Sequence, residues 1–593
     1  MNEKGGQWPP FSISSMLSRL FPHFLLFCIL AVATACYLPG LTSSFIFDDG
    51  VNITKNPLLR IEDPNLSSLW QAALSGNAGP LKRPISMVSF ALDYYVAGMD
   101  ARHFKITNLG IHLVNGVLVF ILSRLLLNLY QRLWRPELKG RSVFWIAATL
   151  SATWLLHPFN LTGVLYVVQR MTSLSALFTL LGLILYLHGR EALLNGNRSG
   201  LAAIIASIFI ATPLAALSKE NGALLPFLIL ATEVTLLRWR TSDQNTRRIL
   251  VTIVGLSTAI PALFGIFYIW DHPGLISGGY LIREFTLPER LMTEARVLWF
   301  YIHMILLPNM SMMGLHHDDI SISQSLFSPL STLPSILGLL FVAGGAFAFR
   351  NKHPLLAFGT AFFLIGHVLE SSILPLEIAF EHRNYLPMFG ILLPLAYYAL
   401  TPEFHSSSVR LRRASFAILV TLFAGLTASR AYQWGDPLQM RILEAQRHPL
   451  SIRANTDIAA LYDHIPVRSP DEAIDFYIKA SSYYQQAADI SSSNTSGLFG
   501  LLVLNAERGM ELEATLIEAL EQRLATIPFN PPNLNALIGT ARCITSGKCT
   551  VSAEIVNKLY SAALSNPTLT GAYRDQVRLE FSGLAPRIQH KIE

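Results

Sequence analysis

The sequence is poor in charged residues and in cysteine. Only 14% of its 593 residues are charged, against about 25% in ordinary soluble domains, and only four are cysteine. The low charge excludes a water-soluble globule of this length, and the abundance of apolar residues excludes a disordered chain. So few cysteines exclude a small scaffold built on disulfides. Apolar residues make up 51% of the chain, and this predicts a polytopic membrane protein.

Eleven apolar segments have about the length of a membrane span. A helix needs roughly 17 to 25 apolar residues to cross a hydrocarbon core of about 30 Å, and it satisfies its own backbone hydrogen bonds there. No small-residue cleavage site follows the first segment, which is therefore predicted to be a retained helix. A shorter stretch, 297–308, is predicted as a re-entrant or interfacial helix. The eleven segments are 20–38, 106–130, 143–157, 170–188, 200–217, 221–237, 249–270, 331–349, 354–374, 387–401 and 414–430.

Basic residues occur in every second connection between these segments. Short loops rich in Lys and Arg stay in the cytoplasm, so the N-terminus is predicted to be cytoplasmic and the C-terminal region external. The net charge of +6 is too small to indicate a nucleic-acid binder. The basic residues are Arg132, Arg135, Lys139 and Arg141, then Arg190 and Arg198, then Arg238, Arg240, Arg247 and Arg248, then Arg350 and Lys352, and finally Arg410, Arg412 and Arg413.

Two long polar regions are predicted to be external: the loop 39–105 and the tail 431–593. The loop contains amphipathic stretches at Leu66–Leu74 and Ile85–Tyr95, which suit the membrane surface. The predicted domains are therefore a transmembrane catalytic domain, 1–430, and an external helical domain, 431–593.

The tail is predicted to be entirely helical. Ser469 and Glu472 form a possible capping box, and Ala, Tyr and Leu at helical spacing suggest helix pairs of the tetratricopeptide type. Cys543 and Cys549 lie six positions apart in a region where oxidation is permitted. A local disulfide is predicted there, and zinc is not, because no further Cys or His lies nearby.

Polar residues from distant parts of the chain fall on the predicted outer face. The middles of the spans are nearly free of charge, which argues against an ion-moving transporter. The outer residues are Asp48 and Asp49 after the first span, Arg83 in the same loop, His112 in the second span, His157 after the third, Arg170 at the start of the fourth, Lys219 and Glu220 between the fifth and sixth, and Glu381, Arg383 and Tyr385 before the tenth.

Paired carboxylates beside several cations suit the transfer of a sugar from a lipid-linked phosphate. One acid would deprotonate an acceptor hydroxyl, and cations would stabilise the charge that develops on the phosphate. Asp49 is the predicted base, with Asp48 in support. The predicted phosphate ligands are Arg170, Lys219 and Arg383, and the predicted pocket residues are Arg83, His112, His157, Glu220, Glu381 and Tyr385.

Structural interpretations of the same residues stay open. The two aspartates could cap a surface helix, His157 before a proline could simply end a helix, and Lys219 with Glu220 could be a surface ion pair. The string His316, His317, Asp318 and Asp319 has metal-ligand chemistry, but a solvated loop is the preferred interpretation. No cofactor is predicted, and a divalent metal is not favoured.

The same motifs, in the same order over roughly residues 20 to 470, resemble those of GT-C glycosyltransferases with C-terminal tetratricopeptide repeats. The eukaryotic members are transmembrane O-mannosyltransferases that act on cadherins, and this chain looks more like a bacterial relative such as a type IV pilin glycosyltransferase. In that family Glu and Arg are adjacent near the tenth span, whereas His382 separates them here. The motifs are Phe47-Asp48-Asp49 with Asn56, Arg83-Pro84, Phe104, Asn108 and His112, His157-Pro158 with Val164 and Arg170, Lys219-Glu220, and Glu381 to Pro387.

The resemblance implies an all-α integral membrane protein of the GT-C fold, with about eleven spans and a helical tail. It also implies a polyprenyl-phosphate sugar donor, an exported protein acceptor modified on Ser or Thr, and a catalytic acid at Asp48 or Asp49. The predicted location is a bacterial inner membrane with a periplasmic tail. The alternatives are a transporter or flippase for lipid-linked or small solutes, and an oligosaccharide ligase or polymerase.

Overall fold

The computed structural model describes residues 13–136, 140–281, 283–401, 409–569 and 571–589. Lys139, one of the basic residues used to predict orientation, lies outside these ranges. Helices dominate the described residues, which contain no β-strand and one isolated bridge between Ser325 and Ser328. The prediction of an all-α protein is confirmed.

The helices are numbered in chain order. The first eleven are α1 Ile13–Tyr37, α2 Leu66–Leu74, α3 Pro84–Ala97, α4 Ala101–Trp134, α5 Gly140–Leu155, α6 Thr162–Leu165, α7 Arg170–Leu194, α8 Gly200–Ala206, α9 Thr212–Ser218, α10 Leu225–Thr232 and α11 Gln244–Asp271. The remainder are α12 Gly274–Tyr280, α13 Leu287–Leu306, α14 Thr332–Ala348, α15 Pro354–His367, α16 Met388–Leu400, α17 Val409–Gly435, α18 Pro437–Arg447, α19 Ile452–His464, α20 Pro470–Ile490, α21 Ser496–Glu507, α22 Ala514–Thr526, α23 Pro531–Thr545, α24 Ala553–Ser565 and α25 Gly571–Gln589.

Each of the eleven apolar segments overlaps helix in the structure, although the predicted segment 354–374 runs past the end of its helix at His367. Seven helical stretches of the described chain are long and apolar enough to cross a membrane, and they support an integral membrane protein. Four shorter apolar helices match the other predicted segments, and their crossing stays a prediction. The seven are Pro22–Thr42, Ala101–Trp134, Val167–Leu194, Gly200–Ser218, Glu220–Leu237, Gln244–Asp271 and Arg410–Gly435, and the four are Ser142–Leu155, Thr332–Ala348, Pro354–His367 and Met388–Leu400.

Helix α13 is longer than the predicted apolar stretch 297–308. It has 20 residues and begins at Leu287, where Thr286 and Glu289 form a capping box. Its first half carries charged residues that the hydropathy pattern does not count as span. The predicted short length, on which the re-entrant interpretation rested, is therefore wrong. Helix α13 is nevertheless amphipathic, as an interfacial helix would be.

The chain divides into two compact units. The first contains the described residues of Met1–Ser257, Ala346–Gly366 and Asn384–Gly435, and the second those of Thr258–Gly345, His367–Arg383 and Asp436–Glu593. The predicted boundary at 430/431 lies close to the last of these divisions, but the tail shares its unit with two earlier segments. The functional division into a catalytic and an external domain stays a prediction.

In the first unit, α7 packs against α4, α8 and α9. The approach of α7 and α8 is close, because a Cβ atom on Gly189 would lie 2.5 Å from the Gly200 carbonyl oxygen. Small residues at such crossings allow helix backbones to meet within a membrane. Helix α7 is thus fixed on several sides, and its first turn carries the site described below.

In the second unit, the tail helices α18 to α25 enclose a continuous apolar core. Ser469 caps α20 by accepting from the Glu472 amide, and the Glu472 side chain returns to the Arg468 amide, so the predicted box is offset by one residue. Cys543 and Cys549 are joined by a disulfide. The tetratricopeptide assignment stays a prediction.

Candidate functional site

The polar groups of the first unit gather on one short segment, Tyr166–Thr172, which we call the α7 entry segment. It consists of a 3-10 turn followed by the first turn of α7. From Val168 to Thr172 the backbone is helical, so these five residues occupy roughly 6 to 8 Å along the chain. Their partners are Asp48 for Tyr166, Asp49 for Val168, Asp93 for Arg170, Arg83 for Met171 and Lys219 for Thr172.

Asp49 is completely buried and is held by backbone amides. Its Oδ1 accepts from the Val168 amide at 2.7 Å, and its Oδ2 accepts from the Ile46 amide at 3.0 Å. Burial raises the pKa of Asp49 to about 7, although these two amides and the nearby Lys105 act to lower it. Asp49 therefore ties the loop after α1 to the α7 entry segment.

Asp48 is only half-buried, and its neighbour is a phenol. The Asp48 amide donates to the Tyr166 hydroxyl at 3.0 Å, and a side-chain hydrogen bond also joins the two residues. Burial, followed by the charges of the two aspartates, raises the pKa of Tyr166 well above its ordinary value, so the phenol stays protonated and can donate. Phe47, just before Asp48, has a left-handed backbone with φ 44°. Such strain is common where a side chain must be aimed.

Arg170 is buried and is fully engaged by the protein. Its Nε donates to Asn108 at 2.6 Å, its Nη1 to the Ser89 carbonyl at 3.1 Å, and its Nη2 to the Asp93 carboxylate at 2.5 Å. A cation at the start of a helix is unfavourable with the helix dipole unless an anion lies beside it, and for Arg170 that anion is Asp93. These contacts argue against Arg170 as an open phosphate ligand.

Arg83 and Glu220 form a partly exposed ion pair in the same unit. The Arg83 Nη2 lies 2.9 Å from Glu220 Oε2, and the two side chains are 19% and 21% exposed. Lys82 and Arg83 both have left-handed backbones, with φ 58° and 50°, directly before Pro84. L-residues disfavour that conformation, so the loop holds the guanidinium at a cost in conformational energy.

Two lysines complete the charged groups. Lys219 is buried, and its Nζ donates to the Thr172 hydroxyl at 3.0 Å. Lys105 is also buried, and its Nζ donates to the Ser43 carbonyl at 2.8 Å and to the Ser43 hydroxyl. Lys105 thus fixes the segment between α1 and Asp49. The structure brings Asp48, Asp49, Arg83 and Lys219 to the α7 entry segment, and Glu220 is paired with Arg83. Their role as one shared site stays a prediction.

Three of the predicted pocket residues are packed in the interior of the first unit. His112 Nε2 faces the Leu155 carbonyl at 3.1 Å, so Nδ1 accepts from the Tyr385 hydroxyl at 2.8 Å. Trp154 stacks on His112 and donates to the Tyr385 carbonyl. His157 caps the turn after α5 by accepting from the Phe159 amide, which fits the helix-ending interpretation. These residues are engaged with one another and with the backbone, and their predicted role as pocket residues stays a prediction.

Glu381 and Arg383 belong to the second unit. Glu381 Oε1 accepts from the Gly314 amide at 2.9 Å. Arg383 donates to the Glu377 and Ile378 carbonyls at 2.7 and 2.9 Å. Burial acts to lower the pKa of Arg383, but Tyr301 and nearby carboxylates raise it above its ordinary value. The predicted roles of Glu381 and Arg383 stay predictions.

The two histidines of the string 316–319 are buried and not exposed to solvent. His316 and His317 are 1% and 5% exposed, and His316 Nε2 lies 3.0 Å from Asp457 Oδ2. The preferred interpretation is therefore wrong for both histidines, since tail residues cover them within the second unit.

Sequence reasoning missed Asp93, Lys105 and Tyr166. Asp93 lies on the amphipathic stretch Ile85–Tyr95, where an acid is expected to face water. Lys105 lies near the start of α4, one residue before the predicted span 106–130, and a lysine at the end of a span is ordinary, so no local signal marked it. Tyr166 has no local signal, because its role depends on the loop 118 residues earlier.

The fold and the site define a helical membrane protein in which acids and cations meet at one end of its spans. Partly exposed Asp48 can accept a proton, and Arg83 with Lys219 can attract an anion. This combination suits group-transfer chemistry more than passage of an ion through the membrane.

The chain is similar to curated protein O-mannosyl-transferases. Protein O-mannosyl-transferase F38B6.6 of Caenorhabditis elegans is 24% identical over 236 residues, which are 39% of this chain and 31% of that protein. TMTC3 of Mus musculus is 28% identical over 202 residues, or 33% and 20%. Tmtc1 of Drosophila melanogaster is 30% identical over 205 residues, or 34% and 21%. The similarity thus spans a third or less of each relative. No protein-family profile and no solved structure matches the chain.

Proposed function

We propose that the chain is an integral membrane glycosyltransferase of the GT-C type that modifies proteins. It takes a sugar from a polyprenyl-phosphate donor and passes it to a Ser or Thr hydroxyl of an exported protein, such as a pilin. The observation that carries the proposal is the meeting of Asp48, Arg83 and Lys219 on the α7 entry segment, with Glu220 paired to Arg83. Similarity to protein O-mannosyl-transferases supports the reaction class.

The proposed location is a bacterial inner membrane, with the N-terminus cytoplasmic and the tail periplasmic. In this orientation the α7 entry segment faces the periplasm, where a donor headgroup and an exported acceptor can meet. The lipid tail of the donor would lie among the apolar helices.

We assign the base to Asp48 rather than to Asp49, which the sequence alone suggests. Both oxygens of Asp49 accept from backbone amides, and the residue has no exposed surface. A base must come within hydrogen-bond reach of the acceptor hydroxyl, which half-buried Asp48 can do. Tyr166 would orient the Asp48 carboxylate, while Asp49 would hold the loop in place.

Arg83 and Lys219 are the proposed phosphate ligands. The Arg83 guanidinium is partly exposed, so a phosphate oxygen can reach it, and Glu220 holds it in place until the donor binds. Charge develops on the phosphate as the glycosidic bond breaks, and the two cations would stabilise it. Arg170 is left out, because Asp93 already neutralises its charge.

The test uses the purified full-length protein in detergent or nanodiscs, with defined polyprenyl-phosphate sugars and candidate exported proteins. Intact mass of the acceptor protein is the readout. We expect a mass gain of one glycosyl unit with wild type, and a rate about 10²- to 10⁴-fold lower with Asp48→Asn. Glu62→Gln is the matched control, since Glu62 is an exposed acid of the same loop.

Each failure of the test has a distinct meaning. Equal rates for wild type and Asp48→Asn would show that Asp48 is not the base. A mass gain on a lipid or glycan, with none on any protein, would favour a ligase or polymerase. Movement of donor across vesicles without any new glycosidic bond would favour the transporter alternative.

A further inference from the structure

Three side chains with metal-ligand chemistry meet in the second unit, away from the α7 entry segment in sequence. His317, Asp319 and His448 each offer one ligand atom, and these atoms all lie within 4.8 Å of one another. Asp319 Oδ2 is 2.8 Å from His448 Nδ1. The residues come from the loop after α13 and from the connection between α18 and α19, 129 positions apart.

A fourth donor stands beside them. Glu381 Oε1 is 3.9 Å from His317 Nε2, and these two side chains are 0% and 2% exposed. The imidazole rings of His317 and His448 stand edge to face with centroids 5.5 Å apart. Two buried imidazoles and two carboxylates together offer two nitrogen and two oxygen donors. A surface ion pair does not bring such a set together.

The surrounding backbone holds the donors in place. Glu444 Oε1 accepts from the Leu315 and His316 amides at 2.5 and 2.9 Å. His448 Nε2 lies against the chain at Gly314, where an added Cβ would approach it to 2.8 Å. The Nδ1 side of His448 is thereby turned toward Asp319. Ring orientation of this kind, set by contacts on the far nitrogen, is usual for metal-binding histidines.

We propose that His317, Asp319 and His448, with Glu381 as the fourth donor, bind a divalent cation of the zinc type. Tetrahedral zinc with nitrogen and oxygen ligands at about 2.0 to 2.2 Å places the ligand atoms roughly 3.3 Å from one another. The ligand atoms of His317, Asp319 and His448 lie within 4.8 Å of one another, so small side-chain movements suffice to reach that value. Glu381, whose Oε1 is 3.9 Å from His317 Nε2, would move in to complete the set. Two imidazoles disfavour magnesium and calcium, which prefer oxygen.

The cation would cross-link the loop after α13 to the start of the tail, both of which lie in the second unit. It is a structural site in this proposal, and it is independent of the proposed glycosyl transfer. Glu381 belongs to the motif singled out in the sequence, so the cation would also fix one residue of that motif.

The experiment measures bound metal and thermal stability in the full-length protein, purified with a tag that contains no histidine. We expect about one zinc ion per chain by mass spectrometry of the metal content. A chelator should lower the Tm of wild type by roughly 5 °C or more, and added zinc should restore it. His448→Gln and Asp319→Asn should lower the zinc content about tenfold or more.

His464→Ala is the control for the two variants. His464 is an exposed histidine of the same tail, with no part in the cluster, and its loss should leave the zinc content unchanged. If a variant does not fold, the chelator and zinc titrations of wild type decide alone. Wild type that binds no zinc and whose Tm does not change with zinc or chelator would overturn the proposal. Zinc retained by both variants would overturn the ligand assignment.

Discussion

The two ends of α7 each bury an arginine paired with a carboxylate. Arg170 meets Asp93 at one end, and Arg190 meets Glu233 near the other, each pair at 2.5 Å. Twenty residues of helix separate the two arginines, which is about 30 Å and close to the thickness of a hydrocarbon core. Each pair therefore lies where a spanning helix would reach a membrane surface.

The surroundings of the two pairs differ. At the Arg190 end the Tyr186 hydroxyl and the Trp239 amide also donate to Glu233, and both charged side chains are 0% exposed. At the Arg170 end, the partly exposed side chains of Asp48, Arg83 and Glu220 lie beside the pair. A buried ion pair alone is therefore weak evidence for function, and accessible charges next to one are better evidence.

The largest expected effect on stability is at the Arg190 end of α7. Glu233→Gln leaves Arg190 buried without its counter-charge, which should destabilise the protein by about 3 to 5 kcal/mol. The measurement is thermal unfolding in detergent, together with the transfer rate per folded molecule. We expect a much lower Tm and an unchanged rate.

Asp93→Asn is the comparison for that variant at the other end. It should also lower the Tm, because Arg170 loses its partner, but here the transfer rate per folded molecule should fall as well. If Glu233→Gln lowered the rate as much as Asp93→Asn, the contrast between the two ends would be lost.

The stability of the Arg170 end of α7 should depend on pH through Asp49. The pKa of Asp49 rises from 3.8 to about 7 on folding, so the folded state binds more protons between these values. The stability contribution of Asp49 is fully present below about pH 4 and is lost as pH rises through about 7. The difference corresponds to roughly 4 kcal/mol.

The measurement is the Tm of wild type minus that of Asp49→Asn, from pH 5 to pH 8. Taking the difference removes the titration of all other groups. Because asparagine does not titrate, we expect the difference to fall as pH rises from 5 to about 7 and to level off above that. A difference that stays constant over this range would show that Asp49 does not titrate there.

The smallest expected effect on stability belongs to the Arg83–Glu220 pair. Both side chains are partly exposed, so Arg83→Gln should change the free energy of unfolding by less than about 1 kcal/mol. It should nevertheless raise the KM for the lipid-phosphate donor by roughly tenfold, since a phosphate contact is lost. Kinetics at varied donor concentration give this value, and an unchanged KM would remove Arg83 from the phosphate site.

The helices follow directly from the sequence, because long apolar runs admit few other structures inside a membrane. The start of α13 could not be predicted in this way. Its first turns carry Glu289, Arg290 and Glu294, which interrupt the apolar run while continuing the helix. Hydropathy indicates which part of a helix can lie in a membrane, whereas the capping residues Thr286 and Glu289 indicate where this helix begins.

The site could be predicted only in part. Asp48, Asp49 and Lys219 were found because polar motifs at the ends of spans must lie near a membrane surface. Which of their neighbours neutralise one another depends on contacts between distant residues. Asp93 and Arg170 are 77 positions apart, and His448 joins Asp319 across 129. No local pattern encodes such pairs.

The strained backbone at Lys82 and Arg83 has a consequence for engineering. Glycine adopts a left-handed conformation without penalty, so a glycine at position 83 would relieve about 1 to 2 kcal/mol of strain. Selection for thermal stability alone would then favour glycine at position 83, at the expense of the proposed phosphate contact. Selection for activity would instead maintain an arginine at this strained position before a proline.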